Sequence, residues 1–173
     1  DGNFIAVGRL EKIKRFDLLI HAWKGIDEKL EIIGDGLEKN NLLTIIKDNN
    51  LTDQVTIRSE VNSQELCNIY RRAKALIITS SREGGPRVAL EAAAFNLPVF
   101  GTNVGIMSEL FPQEVLADPN NEEEIISLIR SFVPLAKNID VSAIKERIFV
   151  SYTVESSAKR VGKIYDSVLS NSL

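Results

Sequence analysis

The sequence predicts an α/β protein built on a doubly wound parallel sheet of about six strands. Three observations carry that expectation. Short β-rich apolar runs alternate with longer amphipathic patterns along the chain, the links between them are short and polar, and no internal repeat, low-complexity tract or interior linker interrupts the alternation. Strands joined by helical crossovers pair in parallel and need cover on both faces, which gives a single Rossmann-like domain over residues 1–173.

In chain order, "NFIAVG" reads as the first strand. "RFDLLIHAWKGI" follows as a helix with Phe16, Leu19, Ile20 and Trp23 at helical spacing. "KLEIIG" is the second strand, and "LEKNNLLTIIKDNN" the helix after it, with Leu42, Leu43, Ile45 and Ile46 as its apolar stripe. "QVTIR" leads into "NSQELCNIYRRA", whose start Asn62 or Ser63 would cap. "ALIIT" runs into "PRVALEAAAFN", where Pro86 suits a first helical turn. "LPVFG" precedes the shorter "GIMSELF", and "EVLAD" precedes "NEEEIISLIRSFV". Two further helices, over 141–150 and 154–170, close the chain.

Composition narrows the function classes. Apolar residues make up 44% and charged residues 26%, as in an ordinary globular protein. A net charge of −3 offers no overall attraction to nucleic acid or anionic lipid, so neither is an expected partner and any anion site must be assembled locally. No apolar run approaches the ~20 residues that span a bilayer, so membrane contact is not indicated. The single cysteine, Cys67, fits a reducing, cytoplasmic setting and reads most simply as a buried inert thiol. With His21 as the only histidine, a structural zinc site is not expected. The only methionine is Met107, so the sequence is expected to be a piece of a longer protein.

In such sheets ligands lie beyond the carboxyl ends of the strands, on loops that carry function. In the first of these, "GRLEKIK", Gly8 permits a sharp exit from the strand, and Arg9 and Lys14 would both stand at its edge. Two cations there suit a diphosphate, and a solvated basic surface beside a helix start is the plainer alternative. "GDGLEK" fails the dinucleotide fingerprint, because Lys39 occupies the third glycine position. In "SSREGGPRVALEAAA" a helix beginning near Pro86 would leave the N–H groups around Gly84 and Gly85 at the positive end of its dipole, a ready anion site. Leu90, Ala93, Ala94 and Leu97 are the expected buried stripe of that helix, with Glu91 beside it on the face of Arg87 and Val88, looking toward the crevice that Glu83 borders. The alternative is purely local: Glu83 stabilises a helix start by about 0.3–1 kcal/mol and Arg87 pairs with Glu91 on the surface. "GTNVG" offers Thr102 and Asn103 at another turn, and "EEE" at 122–124 is a charged first turn. No Asp-x-Asp pair is present, so a site for a nucleoside diphosphate is expected to neutralise its phosphates with cations and helix dipoles, without metal or other cofactor.

Taken in order, "VGRLEKIKRFDLLIHAW", "LEIIGDG", "VTIRSEV" and "LCNIYRRAKALIITSSREGGPRVALEAAAFNLPVFGTNVGIMSEL", with Glu83 and Glu91 separated by seven residues, resemble the carboxyl-terminal half of GT-B glycosyltransferases, specifically glycosyltransferase family 4. The resemblance implies a donor-binding domain whose acceptor-binding, amino-terminal partner domain is absent. It implies that Arg9 and Lys14 hold the donor diphosphate, that Glu83 takes hydroxyls of the transferred sugar, and that Glu91 takes the ribose. It places Gly8, Gly84, Gly85, Pro86 and Val88 around the donor, and the nucleobase near Arg58 and Ser59. Four positions depart from the family pattern. Gly85 stands for a common aromatic residue, Arg15 and Asn96 stand where glycine (or, at the first, asparagine) is frequent, and Ser59 replaces a glycine.

The expected function is therefore retaining, metal-independent transfer of a hexose from a UDP- or GDP-linked donor to an acceptor hydroxyl, in polysaccharide or glycoconjugate synthesis, with this half alone inactive. A non-catalytic nucleotide-binding or assembly module of the same fold is the alternative. A sugar-nucleotide epimerase or glycogen-type phosphorylase would lack this combination of Gly-Arg loop and spaced glutamates.

Overall fold

A computed structural model describes residues 2–139 and 141–153, and beyond them 155, 156, 158, 159 and 161. The strands are β1 (Phe4–Val7), β2 (Leu30–Ile33), β3 (Val55–Arg58), β4 (Ala75–Ile78), β5 (Val99–Thr102) and the two-residue β6 (Leu116–Ala117). Between them run α1 (Phe16–Ala22), α2 (Lys39–Asp48), α3 (Ser63–Arg72), α4 (Arg87–Ala94) and the single-turn α5 (Met107–Leu110). After β6 come α6 (Glu122–Phe132) and α7 (Ser142–Ser151). The helix expected over 154–170 falls largely outside the described residues.

All strand pairs are parallel, in the order β3-β2-β1-β4-β5-β6. The chain builds outward from β1 to β3, then returns to lay β4 on the other side of β1. That reversal opens a crevice beyond the carboxyl ends of β1 and β4, because their following loops depart in opposite directions. The six-strand α/β architecture expected from the sequence is the one observed.

Strands sandwiched between helices must be apolar on both faces. Phe4, Ile5, Ala6, Leu76, Ile77, Val99 and Phe100 are all buried. Trp23 is buried edge-on against Phe4, with ring centroids 5.5 Å apart, and its indole N–H donates to the Glu28 carbonyl at 2.8 Å, so its one polar atom is satisfied. Asn62 caps α3 by accepting from the Glu65 N–H at 2.9 Å. Cys67 is half-buried and free.

Two expected stripes shift. On α4 the buried positions are Ala89, Ala92 and Ala93, with Leu97 just past the helix, while Leu90 and Ala94 lie at the margin. The smallest side chains let the helix settle closely on the sheet, and the contact line follows them. On α2 only Leu42 and Ile46 are buried and Leu43 is exposed, as befits a helix on the flank of the sheet with a narrow contact face.

Candidate functional site

The loops after β1 and β4 are fastened to each other. After Gly8 the chain makes a short 3-10 turn over Lys12–Lys14 and enters α1 through Arg15, whose backbone is left-handed at φ 53°. The Thr79 hydroxyl donates to the Lys14 carbonyl at 2.8 Å, and the Ser81 N–H donates to the Ile13 carbonyl at 2.9 Å. These bonds fix where the Lys14 side chain begins. Its stem passes over Gly8, where an added Cβ would stand 3.2 Å from Lys14 Cε. A side chain at residue 8 would crowd this stem, which would have to shift by a few tenths of an ångström.

There Lys14 Nζ meets Glu83 Oε1 at 2.9 Å, the two side chains being 19% and 15% exposed. The buried Ser80 hydroxyl donates to the same oxygen. Charges this sheltered from water interact far more strongly than a surface pair. The pair spans 69 residues of sequence and joins the two loops at the topological switch.

The Glu83–Pro86 turn leads from β4 into α4. Gly84 and Gly85 are exposed; a Cβ at Gly84 would meet nothing within 4 Å, and one at Gly85 only ordinary contact with Ile106. Neither glycine is required by local packing, so the turn is open because side chains are missing from it. Pro86, at the N-cap, supplies no side-chain hydrogen bond, so the first N–H groups of α4 have no side-chain cap. Gly105, by contrast, is indispensable. Its φ is 55°, and a Cβ there would lie 2.4 Å from the Gly84 carbonyl oxygen and 2.8 Å from that of Glu83. The "GTNVG" loop therefore buttresses the turn from below.

Glu91 forms a loose pair with exposed Arg87 at 3.7 Å, as the local alternative anticipates. Its other oxygen accepts a hydrogen bond from the buried Tyr70 hydroxyl at 3.0 Å. Burial, and then the negative charge of Glu91, push the Tyr70 phenol well above its ordinary value. Val88 is half-buried and packs against the core.

The remaining expected residues lie along the same edge but do not join Lys14 and Glu83. Arg9 is 79% exposed and pairs with Glu11 at 2.9 Å. It borders a cavity of about 140 Å³ over the ends of β1 and β2, shared with Asp35, Glu60 and Val61. Arg58 is engaged on the sheet flank by Glu31 at 3.6 Å and by Glu65. Lys39 Nζ donates to the Ser59 hydroxyl oxygen at 2.9 Å and to Asp35 at 2.7 Å, and Asp35 also accepts from the Glu60 N–H at 2.8 Å. The Lys39 hydrogen bond, then that of Glu60, hold the Asp35 carboxyl below its ordinary value. Among the described residues no group of three or more His, Cys, Asp and Glu side chains is gathered in the manner of a metal site.

Sequence reasoning missed Thr79, Ser80 and Tyr70. Thr79 precedes the quoted loop and Ser80 opens it, and a hydroxyl flanking a charged turn is a signal in itself. Tyr70 had only a weak one, a tyrosine on the buried face of a polar helix.

Comparison with known proteins bears on this arrangement. The model of the family described as glycosyl transferases group 1 matches residues 2–145. The chain belongs to this family. It is 35% identical over 117 residues to the amylovoran biosynthesis glycosyltransferase AmsD of Erwinia amylovora, covering 66% of this chain and 32% of that one. It is 33% identical over 115 residues to a D-inositol 3-phosphate glycosyltransferase of Paenarthrobacter aurescens, covering 61% of this chain and 28% of the other. The chain spans about a third of the length of the curated relatives it matches. Among solved structures, the sucrose-phosphate synthase of Thermosynechococcus elongatus superposes with a TM-score of 0.82 at 23% identity, over 99% of this chain and 46% of that one. The C-terminal domain of a group 1 family glycosyl transferase (LpcC) from Francisella tularensis superposes with a TM-score of 0.75 at 21% identity, covering 88% and 87% of the two chains. These neighbours show the fold, that of one half of a GT-B glycosyltransferase.

Proposed function

We propose that this domain binds the nucleotide-sugar donor of a family 4-like glycosyltransferase, which transfers a hexose from a UDP- or GDP-linked donor with retention of configuration and without metal. The observation that carries the reading is the sheltered Lys14–Glu83 pair beside the open Gly84–Gly85 turn. Before a donor arrives, Glu83 neutralises Lys14. A bound diphosphate takes over the ammonium, and Glu83 is released to accept hydrogen bonds from the sugar hydroxyls. As the glycosidic bond breaks, negative charge accumulates on the departing diphosphate. Lys14 and the start of α4 stabilise that charge at close range, and Arg9, paired with Glu11 at the rim, adds long-range attraction. Glu91 takes the ribose, and the loop at Arg58 and Ser59, with the adjoining cavity beside Glu60 and Val61, seats the base. No side chain is assigned as a covalent nucleophile.

Transfer also requires an acceptor held against the sugar in a closed, dry cleft, which one half of a GT-B enzyme does not form. The complete enzyme supplies it through an amino-terminal domain, and the relatives' names favour surface polysaccharide or glycoconjugate synthesis. This half alone binds nucleotide and transfers nothing.

Thermal-shift measurement with UDP, GDP and ADP, each with and without EDTA, tests the reading. Stabilisation by one of them that survives EDTA and is lost in Lys14→Ala is expected. Indifference to all three nucleotides would overturn it in favour of a non-catalytic assembly module. Stabilisation abolished by EDTA would overturn its metal independence.

A further inference from the structure

Tyr70 stands near the end of α3 and has no part in the chemistry above. Its residue is 2% exposed and its ring lies tilted against Phe95, with centroids 5.8 Å apart. A phenol at that depth needs a partner for its hydroxyl, and here the partner is Glu91 Oε2 at 3.0 Å. Side chains on a helix lean toward its amino terminus, so Tyr70 projects back toward the carboxyl edge of the sheet, where α4 carries Glu91. Among the described residues, the other carboxylate oxygen is held only by the long 3.7 Å contact with exposed Arg87. One oxygen is thus fixed from the interior and its twin is left on the accessible side.

We propose that Tyr70 is a positioning residue for Glu91. It pins the carboxylate plane so that Oε1 is presented to the paired hydroxyls of a nucleotide's ribose. The proposal rests on the reading above, in which Glu91 meets the ribose. The terminal torsion of a glutamate is broad and has no strong preference of its own, so an unanchored Glu91 carboxylate would be free to rotate. A carboxylate offers about four lone-pair sites, enough to take the phenol on one oxygen and a hydroxyl pair on the other. The raised phenol keeps its proton through neutral pH and remains a donor throughout.

The test is calorimetric titration of the full-length protein with UDP and GDP and with their 2′-deoxy forms. Wild type is expected to bind the ribonucleotide about 10-fold tighter than the deoxynucleotide, since a site built for a hydroxyl pair loses bonds when one is absent. Tyr70→Phe keeps the ring and its packing on Phe95. It should weaken the ribonucleotide alone and bring that ratio to within about twofold. Glu91→Gln should narrow the ratio likewise, and adding Tyr70→Phe to it should change nothing further, the signature of two residues acting as one. An unchanged ratio in Tyr70→Phe, or equal loss of both nucleotides, would overturn the proposal. Failure of wild type to bind either ribonucleotide would instead overturn the functional reading beneath it.

Discussion

Between the ends of β1 and β4, Lys14 and Glu83 meet at 2.9 Å with less than a fifth of either side chain exposed. Over the ends of β1 and β2, Arg9 leaves the same strand but remains 79% exposed and pairs with Glu11 on its own loop. The inner pair is anchored through its backbone by Thr79 and Ser81, and its carboxylate by Ser80. Among the described residues, the outer cation has only its neighbour two residues along. The difference separates two ways in which charge would serve the proposed phosphate site. The inner group is held at a fixed point in a sheltered crevice, where it costs little to reorganise at the moment of need. The outer group stands in water, where any attraction it exerts is open to screening by salt.

The largest expected effect comes from disturbing what holds the inner region rigid. Gly105→Ala places a Cβ against two backbone carbonyls and does so at a left-handed φ. Loss of about 3 kcal/mol in denaturant-derived stability is expected, with the Glu83 turn displaced and nucleotide-induced stabilisation gone. Gly84→Ala, on the open side of the same turn, should cost no more than about 0.5 kcal/mol. If the two alanines proved equally mild, the crevice would be no more rigid than the outer edge and the comparison would fail.

A second expectation concerns the wall behind Glu91. Tyr70 carries a raised phenol when folded, against an ordinary value of 10.0. The native state therefore keeps a proton that the unfolded chain releases above that pH. The stability this contributes is complete below pH 10.0 and is lost as pH rises further, with a slope of about 1.4 kcal/mol per pH unit. Urea unfolding of wild type and Tyr70→Phe between about pH 8 and 11 isolates it. The two curves should run parallel at the lower pH and converge at the upper, whereas parallel curves throughout would place Tyr70 in a more solvated setting.

How much of this was legible beforehand follows from the range of each interaction. Apolar runs such as Ala75–Ile78 report their own burial, and the order of runs and amphipathic stretches fixes the crossover topology, so the sheet and the edge bearing the loops were accessible. Lys14, Glu83 and Glu91 stand out in the sequence as charged residues on or beside the edge loops, but the contact between Lys14 and Glu83 does not. Their mutual contact depends on side-chain paths across the crevice, which no local pattern encodes. Two departures from the family pattern gain a physical meaning only in three dimensions. Arg15 and Asn96 both sit at left-handed φ, 53° and 58°, where glycine is the unstrained choice. Asparagine tolerates that region well. Arg15 is held there by what its side chain reaches, the Pro119 carbonyl at 2.9 Å and the Glu122 carboxylate. On α4 the expected stripe was displaced because helical spacing alone does not distinguish the alanine line from the one beside it.

The smallest expected effect is also the sharpest probe of the difference between the two cations. Arg9→Ala removes an exposed pair, and such pairs contribute at most about 1 kcal/mol, so stability should stay within about 0.5 kcal/mol of wild type. Affinity for the stabilising nucleotide should fall about threefold in dilute buffer, through lost long-range attraction. The Debye length shrinks from roughly 14 Å at 50 mM salt to roughly 4 Å at 500 mM, so the wild-type advantage over Arg9→Ala should vanish across that range. The advantage over Lys14→Ala should persist, because a sheltered contact is poorly screened. Titrations of the three proteins at both salt concentrations decide the matter. An Arg9→Ala deficit that survives high salt would mean that Arg9 turns in to touch the phosphates directly, and the outer edge would then belong to the same preorganised site as the crevice.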